Sequence, residues 1–457
     1  MTDETLSAIF AHIDANKETH LTRLMDYLRH PSISAQDIGI REVAALLVDH
    51  LTGLGFSAEA VPTSGHPMVL AHRMDAPGKP TVLLYGHYDV QPPEPLDAWI
   101  SPPFEPTIRD GRLYARGVGD NKGQHFAQLL ALEAHLTVTG TLPCNVIFLL
   151  EGEEEIGSPR IAEFVAAHAD RLKADLVVTA DGPLHPSGRP IVTFGVRGMA
   201  GFDLVVRTGR TDAHSGNHGG TMPNALWTLV HLLGTMKDAD GRITIDGLHD
   251  PIRPPSNAQQ AAADALPVDI EGYLAEMDLH RLDAPADRPF HDRLMFHPTL
   301  TVNGITGGYG GAGTKTVLPC EAVAKCDIRL VPDMTPDQAI ACVRAHVDRH
   351  APPGEVQVVG HGGMLPSRTP LDSPFAPAVI DAIRTARGVD PYLYPSVGGS
   401  LPDYVFTQTL GLPAFVTPYA NADEANHAPN ENLEIDLFHA GIRTGAALLD
   451  RLGRMSA

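Results

Sequence analysis

The chain has 457 residues, is 43% hydrophobic and 6% aromatic, and carries a formal charge of −21. That length exceeds one compact core and predicts two domains, while the acidic balance argues against nucleic acid as a partner. No apolar run approaches the ~20 residues of a membrane helix, no signal-peptide pattern precedes the acidic start Met1-Thr-Asp-Glu, and four cysteines without a CxxC pair read as free thiols of a cytoplasmic protein.

In chain order, helices are expected over 4–29, 40–54, 122–137 and 160–172, and strands over 67–73, 81–86, 145–150 and 175–180. This alternation predicts an α/β domain whose mainly parallel sheet is covered by helices on both faces. The Pro-rich segment 91–112, with Trp99 and Phe104, is long for a connection and reads as a site-lining loop. Near Phe194 the pattern changes. A strand over 201–207, a helix over 223–236, a polar and Pro-rich stretch over 246–298, a Gly-rich loop over 304–313, a strand over 322–330 and a helix over 335–350 follow. Such an insert predicts an α+β sandwich. The Gly-rich loop lacks the Lys-Ser/Thr ending of a phosphate-binding P-loop. Helix, strand and helix then return over 373–387, 412–417 and 435–452. The division expected is 1–195 and 371–457 for one domain, interrupted by a second domain over 196–370.

Acids and histidines follow the apolar runs of the first and last parts. His87 and Asp89 follow Thr81-Val-Leu-Leu-Tyr85, Glu153, Glu154 and Glu155 follow Val146-Ile-Phe-Leu-Leu150, and Asp181 follows Leu176-Val-Val-Thr-Ala180. Asp120 lies in Gly117-Val-Gly-Asp-Asn-Lys-Gly123, and His427 lies beyond Ala414-Phe-Val416. Strand ends of an open α/β sheet are where ligands bind. Carboxylates converging there repel unless cations neutralise them, and the mixed nitrogen and oxygen set suits zinc, with manganese or cobalt possible. One bridging carboxylate with two further ligands per ion, His87 and Asp181 for one, Glu155 and His427 for the other, completes a dinuclear site. Such a pair can activate a hydroxide and polarise a carbonyl. Glu154, adjacent to a ligand but pointing elsewhere, suits a general base. Asp89 is placed to accept the other ring N–H of His87.

The segments Gly86-His-Tyr-Asp-Val-Gln-Pro92, Gly117-Val-Gly-Asp-Asn-Lys-Gly123, Glu154-Glu-Ile-Gly-Ser158 and Asn426-His427 closely resemble the dizinc metallopeptidases. That family contains carnosinase-type dipeptidases, carboxypeptidase G, acetylornithine deacetylase and succinyl-diaminopimelate desuccinylase. The resemblance implies an aminopeptidase/phosphorylase-like catalytic domain with an inserted lid that dimerises. It implies that His87, Asp120, Glu155, Asp181 and His427 hold two metals, with Asp120 as the bridge and a cis peptide after it. It also implies that Asp89 orients His87 and Glu154 is the base; Glu153 has no assigned role. In the lid, Asp212-Ala-His214 resembles the segment whose histidine stabilises the oxyanion in the neighbouring subunit, and Ile328-Arg329 the segment whose arginine binds the substrate carboxylate. Gly399 and Ser400 resemble a loop that closes on that carboxylate, and Asn224 is counted with the substrate-binding residues.

The long polar insertion, Gly307-Gly-Tyr309 and Lys315-Thr-Val-Leu-Pro319 point to the dipeptidase branch of that family. The expected activity is hydrolysis of dipeptide-like amides with a free C-terminal carboxylate. An N-acyl-amino-acid amidohydrolase is the alternative with the same metal ligands. A non-catalytic metal- or peptide-binding protein is the alternative of another class.

Overall fold

The computed structural model describes residues 3–283 and 288–456. The chain forms two compact units. The first comprises the residues up to Phe194, Thr369–Tyr394 and those from Val405; the second comprises Gly195–Arg368 and Pro395–Tyr404.

The first unit is built on an eight-stranded mixed sheet flanked by helices. Its strand order is Ser57–Val61, Met68–Arg73, Asn145–Glu151, Thr81–His87, Leu176–Thr179, Ala414–Val416, Ile191–Thr193, Tyr392–Tyr394. The four strands from Asn145–Glu151 to Ala414–Val416 run parallel. Thr81–His87 and Asn145–Glu151 are buried at every position, the signature of strands covered on both faces. The helix Lys122–Thr139 packs against Ile435–Arg454 and Asp3–Ala15. The apolar face of Ile435–Arg454 contributes Phe438, Ile442, Leu449 and Leu452 to the core.

Several expectations need correction. The helix expected over 4–29 is two helices, Asp3–Ala15 and Lys17–Leu28, parted at Asn16. The amide of Asn16 bonds the His12 carbonyl at 2.8 Å, a local competitor for helical pairing. The helix expected over 160–172 ends at Ala167. Part of the 91–112 segment is ordered as strands, since Thr107–Arg109 and Arg112–Tyr114 pair as a hairpin. The short strands Ser57–Val61, Ile191–Thr193 and Tyr392–Tyr394 were not expected, being too brief for a periodic signal.

The second unit has a four-stranded antiparallel sheet in the order Thr299–Gly307, Glu321–Leu330, Gly198–Arg207, Val356–Met364. Burial alternates strictly along both Gly198–Arg207 and Glu321–Leu330. Their buried face packs with the helices Ala225–Met236 and Pro336–His350 in one core containing Phe202, Leu204, Leu229, Ile328 and Val343. The Gly-rich stretch is not wholly a loop: Gly304–Gly307 continue the edge strand, after a register shift at Asn303. Among its described residues, the polar 246–298 insertion carries three short helices, Asn257–Asp264, Ile270–Glu276 and Phe290–Met295; 284–287 lie outside the described residues. A reciprocal Ser256–Gln259 capping box starts the first of these, and the Asp269 side chain caps the second. Those caps were present in the sequence as Ser-x-x-Gln and Asp.

Candidate metal centre

The first unit brings His87, Asp120, Glu155, Asp181 and His427 together, from four loops and one strand end. His87 is the last residue of its strand. Asp181 lies two residues beyond Leu176–Thr179. Asp120 is not at a strand end; it sits in the turn before Lys122–Thr139, and its peptide bond to Asn121 is cis. Glu154 and Glu155 lie on the single 3-10 turn Glu154–Ile156, so it is this turn, not strand alternation, that sends the two side chains apart. His427 stands on a loop with φ of 58°, a left-handed conformation that non-glycine residues rarely adopt and that clusters at functional sites.

Two donor groups result. His87, Asp120 and Asp181 offer ligand atoms within 4.8 Å of one another, and so do Asp120, Glu155 and His427. Asp120 belongs to both. Its Oδ1 is 3.0 Å from His87 Nε2, and its Oδ2 is 3.1 Å from His427 Nε2. Glu155 Oε2 also lies 3.1 Å from His427 Nε2, and Asp181 Oδ2 lies 3.7 Å from His87 Nε2. One carboxylate presenting one oxygen to each of two groups is the donor pattern of a dinuclear centre.

The clustered acids and histidines shift one another's protonation. Burial lowers the His87 pKa, but its contacts with Asp120 and Asp89 more than offset this and raise it well above the usual histidine value. His427 is pushed up to about 10 by its hydrogen bonds to Asp120 and Glu155. Burial and the Asp120 charge bring Asp181 up to about 7. Glu154 belongs to neither donor group, and its side chain makes no hydrogen bond or ion pair among the described residues. Burial, opposed by His87 and reinforced by the charges of Asp181, Asp120 and Glu155, holds its carboxyl well above the ordinary range. Its carboxyl is therefore uncommitted beside the cluster.

The surroundings fix these groups more fully than the sequence suggested. The Asp89 backbone carbonyl accepts from His87 Nδ1 at 3.1 Å, with the Asp89 carboxylate 3.4 Å from the same nitrogen. The Asp89 carboxylate also accepts the backbone N–H groups of Glu154 and Glu155, at 3.2 and 3.0 Å. Asp89 thus orients a ligand and positions the Glu154–Glu155 turn together. Gln91 Nε2 donates to Glu155 Oε2 at 2.9 Å. Glu153 is buried against Gly65, where a Cβ would lie 2.1 Å from its Oε1.

Glu431 was missed. Its carboxylate accepts from the backbone N–H groups of Gly117, Gly119 and Asp120 at 2.8, 2.9 and 3.0 Å, and from Arg116 Nη1 at 2.8 Å. It is completely buried and shapes the loop that presents Asp120. Gln124 was missed too: its Nε2 donates to the Gly119 and Gly182 carbonyls, and its Oε1 accepts from the Tyr419 N–H. Only nearness to Asp120 and His427 in the sequence could have flagged these two, since polar neighbours hide their burial.

The other candidates lie in the second unit. His214 is exposed, and its Nδ1 accepts the Gly216 N–H at 3.0 Å, which leaves the proton of the neutral ring on Nε2. Asp212 anchors this segment by accepting the Cys320 N–H at 3.0 Å. Arg329 donates to Ser400 Oγ at 2.9 Å and has Asp327 Oδ1 3.4 Å from its Nε. Gly399 is exposed. The Asn224 side-chain oxygen caps the helix Ala225–Met236 through the Leu226 N–H, a structural use of a residue expected to bind substrate.

The sequence pattern of Peptidase family M20/M25/M40 matches residues 83–451. The Beta-Ala-His dipeptidase of Rattus norvegicus is 29% identical over 99% of this chain and 96% of its own length. The Cys-Gly metallodipeptidase dug1 of Schizosaccharomyces pombe is 29% identical over 99% of both. The crystal structure of the M20 family metallo-carboxypeptidase Sso-CP2 from Sulfolobus solfataricus superposes with a TM-score of 0.88 at 33% identity, covering 95% of this chain and 99% of that one.

Proposed function

Because the chain belongs to peptidase family M20/M25/M40, we propose that it is a dinuclear metallodipeptidase acting on dipeptides with a free C-terminal carboxylate. The observation that carries this reading is Asp120 shared between two donor groups, with Glu154 near both and in neither. The residues fit a pair of divalent ions: His87 and Asp181 would hold one, Glu155 and His427 the other, and Asp120 would be shared between them. The two-nitrogen, three-carboxylate set suits zinc best, with manganese and cobalt as competitors. When bound, such ions polarise the amide carbonyl and acidify an attacking water. Glu154 would take a proton from the attacking water and return it to the leaving amine. Asp89 keeps His87 and the Glu154 turn in place.

In the second unit, read as the lid, Arg329 binds the substrate carboxylate as a charge-assisted fork, with Gly399 and Ser400 beside it. Asn224 contributes its free amide. His214, with its proton on Nε2, donates to the developing oxyanion of the partner subunit's site. A homodimer through the lid is supported by the edge strand Thr299–Gly307, whose Val302 and Ile305 are exposed, and by Trp227, 62% exposed on Ala225–Met236. The free thiols fit a reducing cytoplasm, and no helix among the described residues is long and apolar enough to cross a membrane.

The test is a panel of dipeptides beside N-acetyl and N-succinyl amino acids, assayed with apoenzyme reloaded with zinc, manganese or cobalt. Metal-restored hydrolysis of dipeptides is expected. Turnover of the N-acyl amino acids alone would make the protein an amidohydrolase instead.

A further inference from the structure

The second unit brings two arginines together at one end of its sheet. Gly198 pairs with Leu330 and Met199 with Arg329. Arg197 directly precedes Gly198, just outside that pairing, and lies close enough to Arg329 for their charges to oppose each other. Arg329 lies on the face opposite the buried residues Ala200, Phe202, Ile328 and Leu330. Asp327 Oδ1 is 3.4 Å from Arg329 Nε, so that carboxylate is already engaged.

Arg197 is only 6% exposed. Its Nε and Nη2 both donate to the Gly398 carbonyl, at 3.0 and 2.9 Å. Its backbone N–H is shared between the Val397 and Gly399 carbonyls, at 3.3 and 3.1 Å. A Cβ at Gly398 would lie 3.1 Å from Arg197 Nη2, so a glycine there lets the guanidinium approach. The same loop delivers Ser400 to Arg329. Arg197 Nη1 is buried and without a hydrogen-bond partner among the described residues. A buried cation with an unused donor is costly to keep; burial and the Arg329 charge pull its pKa down to about 10. Holding the loop accounts for two of its three nitrogens, and a bound anion would offset the rest.

We propose that Arg197 is a positioning residue for carboxylate recognition: it clamps the 397–400 loop so that Ser400 stays against Arg329, and it adds a second guanidinium charge near Arg329. The inference rests on the reading of Arg329 as the carboxylate-binding residue.

The experiment compares KM and kcat for one dipeptide as free acid and as C-terminal amide. For Arg197→Met, KM of the acid should rise about tenfold with kcat nearly unchanged, the scale of one lost charge-assisted contact, while the amide is unaffected. Arg197→Lys keeps the charge without the fork and should fall between. Gly398→Ala keeps the charge and disturbs the clamp; it should also raise KM for the acid only. If Arg197→Met does not fold, these last two variants carry the test, and an unchanged acid KM in both overturns the proposal. Equal losses on acid and amide would mark Arg197 as merely structural. An acid preference lost in Arg329→Ala but kept in Arg197→Met overturns this proposal alone. A wild type with no acid preference, or an Arg329→Ala variant that keeps it, overturns the Arg329 reading and this one with it.

Discussion

The two units hold their polar residues in opposite ways. In the first, His87, Asp89 and Glu431 are completely buried, and each carboxylate that shapes the centre is saturated: Asp89 takes two backbone N–H groups and Glu431 four donors. In the second, His214 and Gly399 are exposed, and Asn224 spends its oxygen on a helix cap. Ligand geometry tolerates little error, so it is set by groups whose rotamers are locked by packing and by hydrogen bonds. Residues proposed to meet a substrate must stay reachable, and most of them sit on loops or near loop ends. Arg197 departs from this pattern in the second unit, being buried and charged.

The sharpest way to break this comparison is to remove chemistry from the first unit. Chelation should abolish hydrolysis, and a divalent transition ion should restore it; full turnover in a verified metal-free preparation would end the reading. Metal affinity should fall as pH falls below about 10, where His427 takes up a proton, and more steeply below about 7, where Asp181 does too, because both must give up protons to bind. Glu154→Gln should cost about 10²–10⁴-fold in kcat with metal content intact. Glu155→Gln should instead lose metal. Equal metal loss in both variants, with normal turnover per bound metal, would remove Glu154 as the base.

The exposed unit should yield the next largest effect. His214→Ala should lower kcat by about 10²–10³-fold, the scale of one oxyanion donor, and keep both metals. Mixing it with Glu154→Gln should regain activity if heterodimers pair an intact base with an intact His214. Verified heterodimers without activity would place His214 outside the partner's site.

Glu431→Gln tests whether buried scaffolding sets the ligands. It keeps the shape but loses the charge facing Arg116, and metal affinity should fall by about 10–100-fold, as for other groups that orient ligands. Calorimetric titration with zinc would read this, and wild-type affinity would show that the Asp120 loop holds itself.

The smallest effect belongs to packing far from the chemistry. Arg23 donates to both Glu133 oxygens at 2.7 and 2.8 Å. Burial raises the Glu133 pKa, but His50 and Arg23 more than offset it and bring it to about 2. That lies below the ~4.3 of an unfolded glutamate, so the pair stabilises the fold above that pH and loses its contribution as pH falls towards 2. Glu133→Gln should therefore cost about 1 kcal/mol at neutral pH and almost nothing in strong acid, as measured by urea unfolding. An equal cost at both would mean that shape, not charge, matters at this position.

The sequence by itself determined the metal-site residues as candidates, because each required a histidine or carboxylate beside a glycine-rich turn or a buried apolar run, and such runs are continuous along the chain. It also determined the parallel core of the first unit, since Thr81–His87 and Asn145–Glu151 are apolar almost throughout. Only the tertiary structure decided what lies between those residues. Glu431 and Gln124 act through hydrogen bonds to backbone groups far away in sequence, and a backbone donor leaves no mark in the residue that uses it. Asp89 was legible as a partner of His87, but its grip on the Glu154–Glu155 turn follows from a contact 65 residues away in sequence. Arg197 looked like any arginine at the start of a strand. Its burial, its fork on Gly398 and its unpaired nitrogen arise only when the 395–404 segment returns to the second unit, where solvent is excluded and an unpaired charge becomes costly.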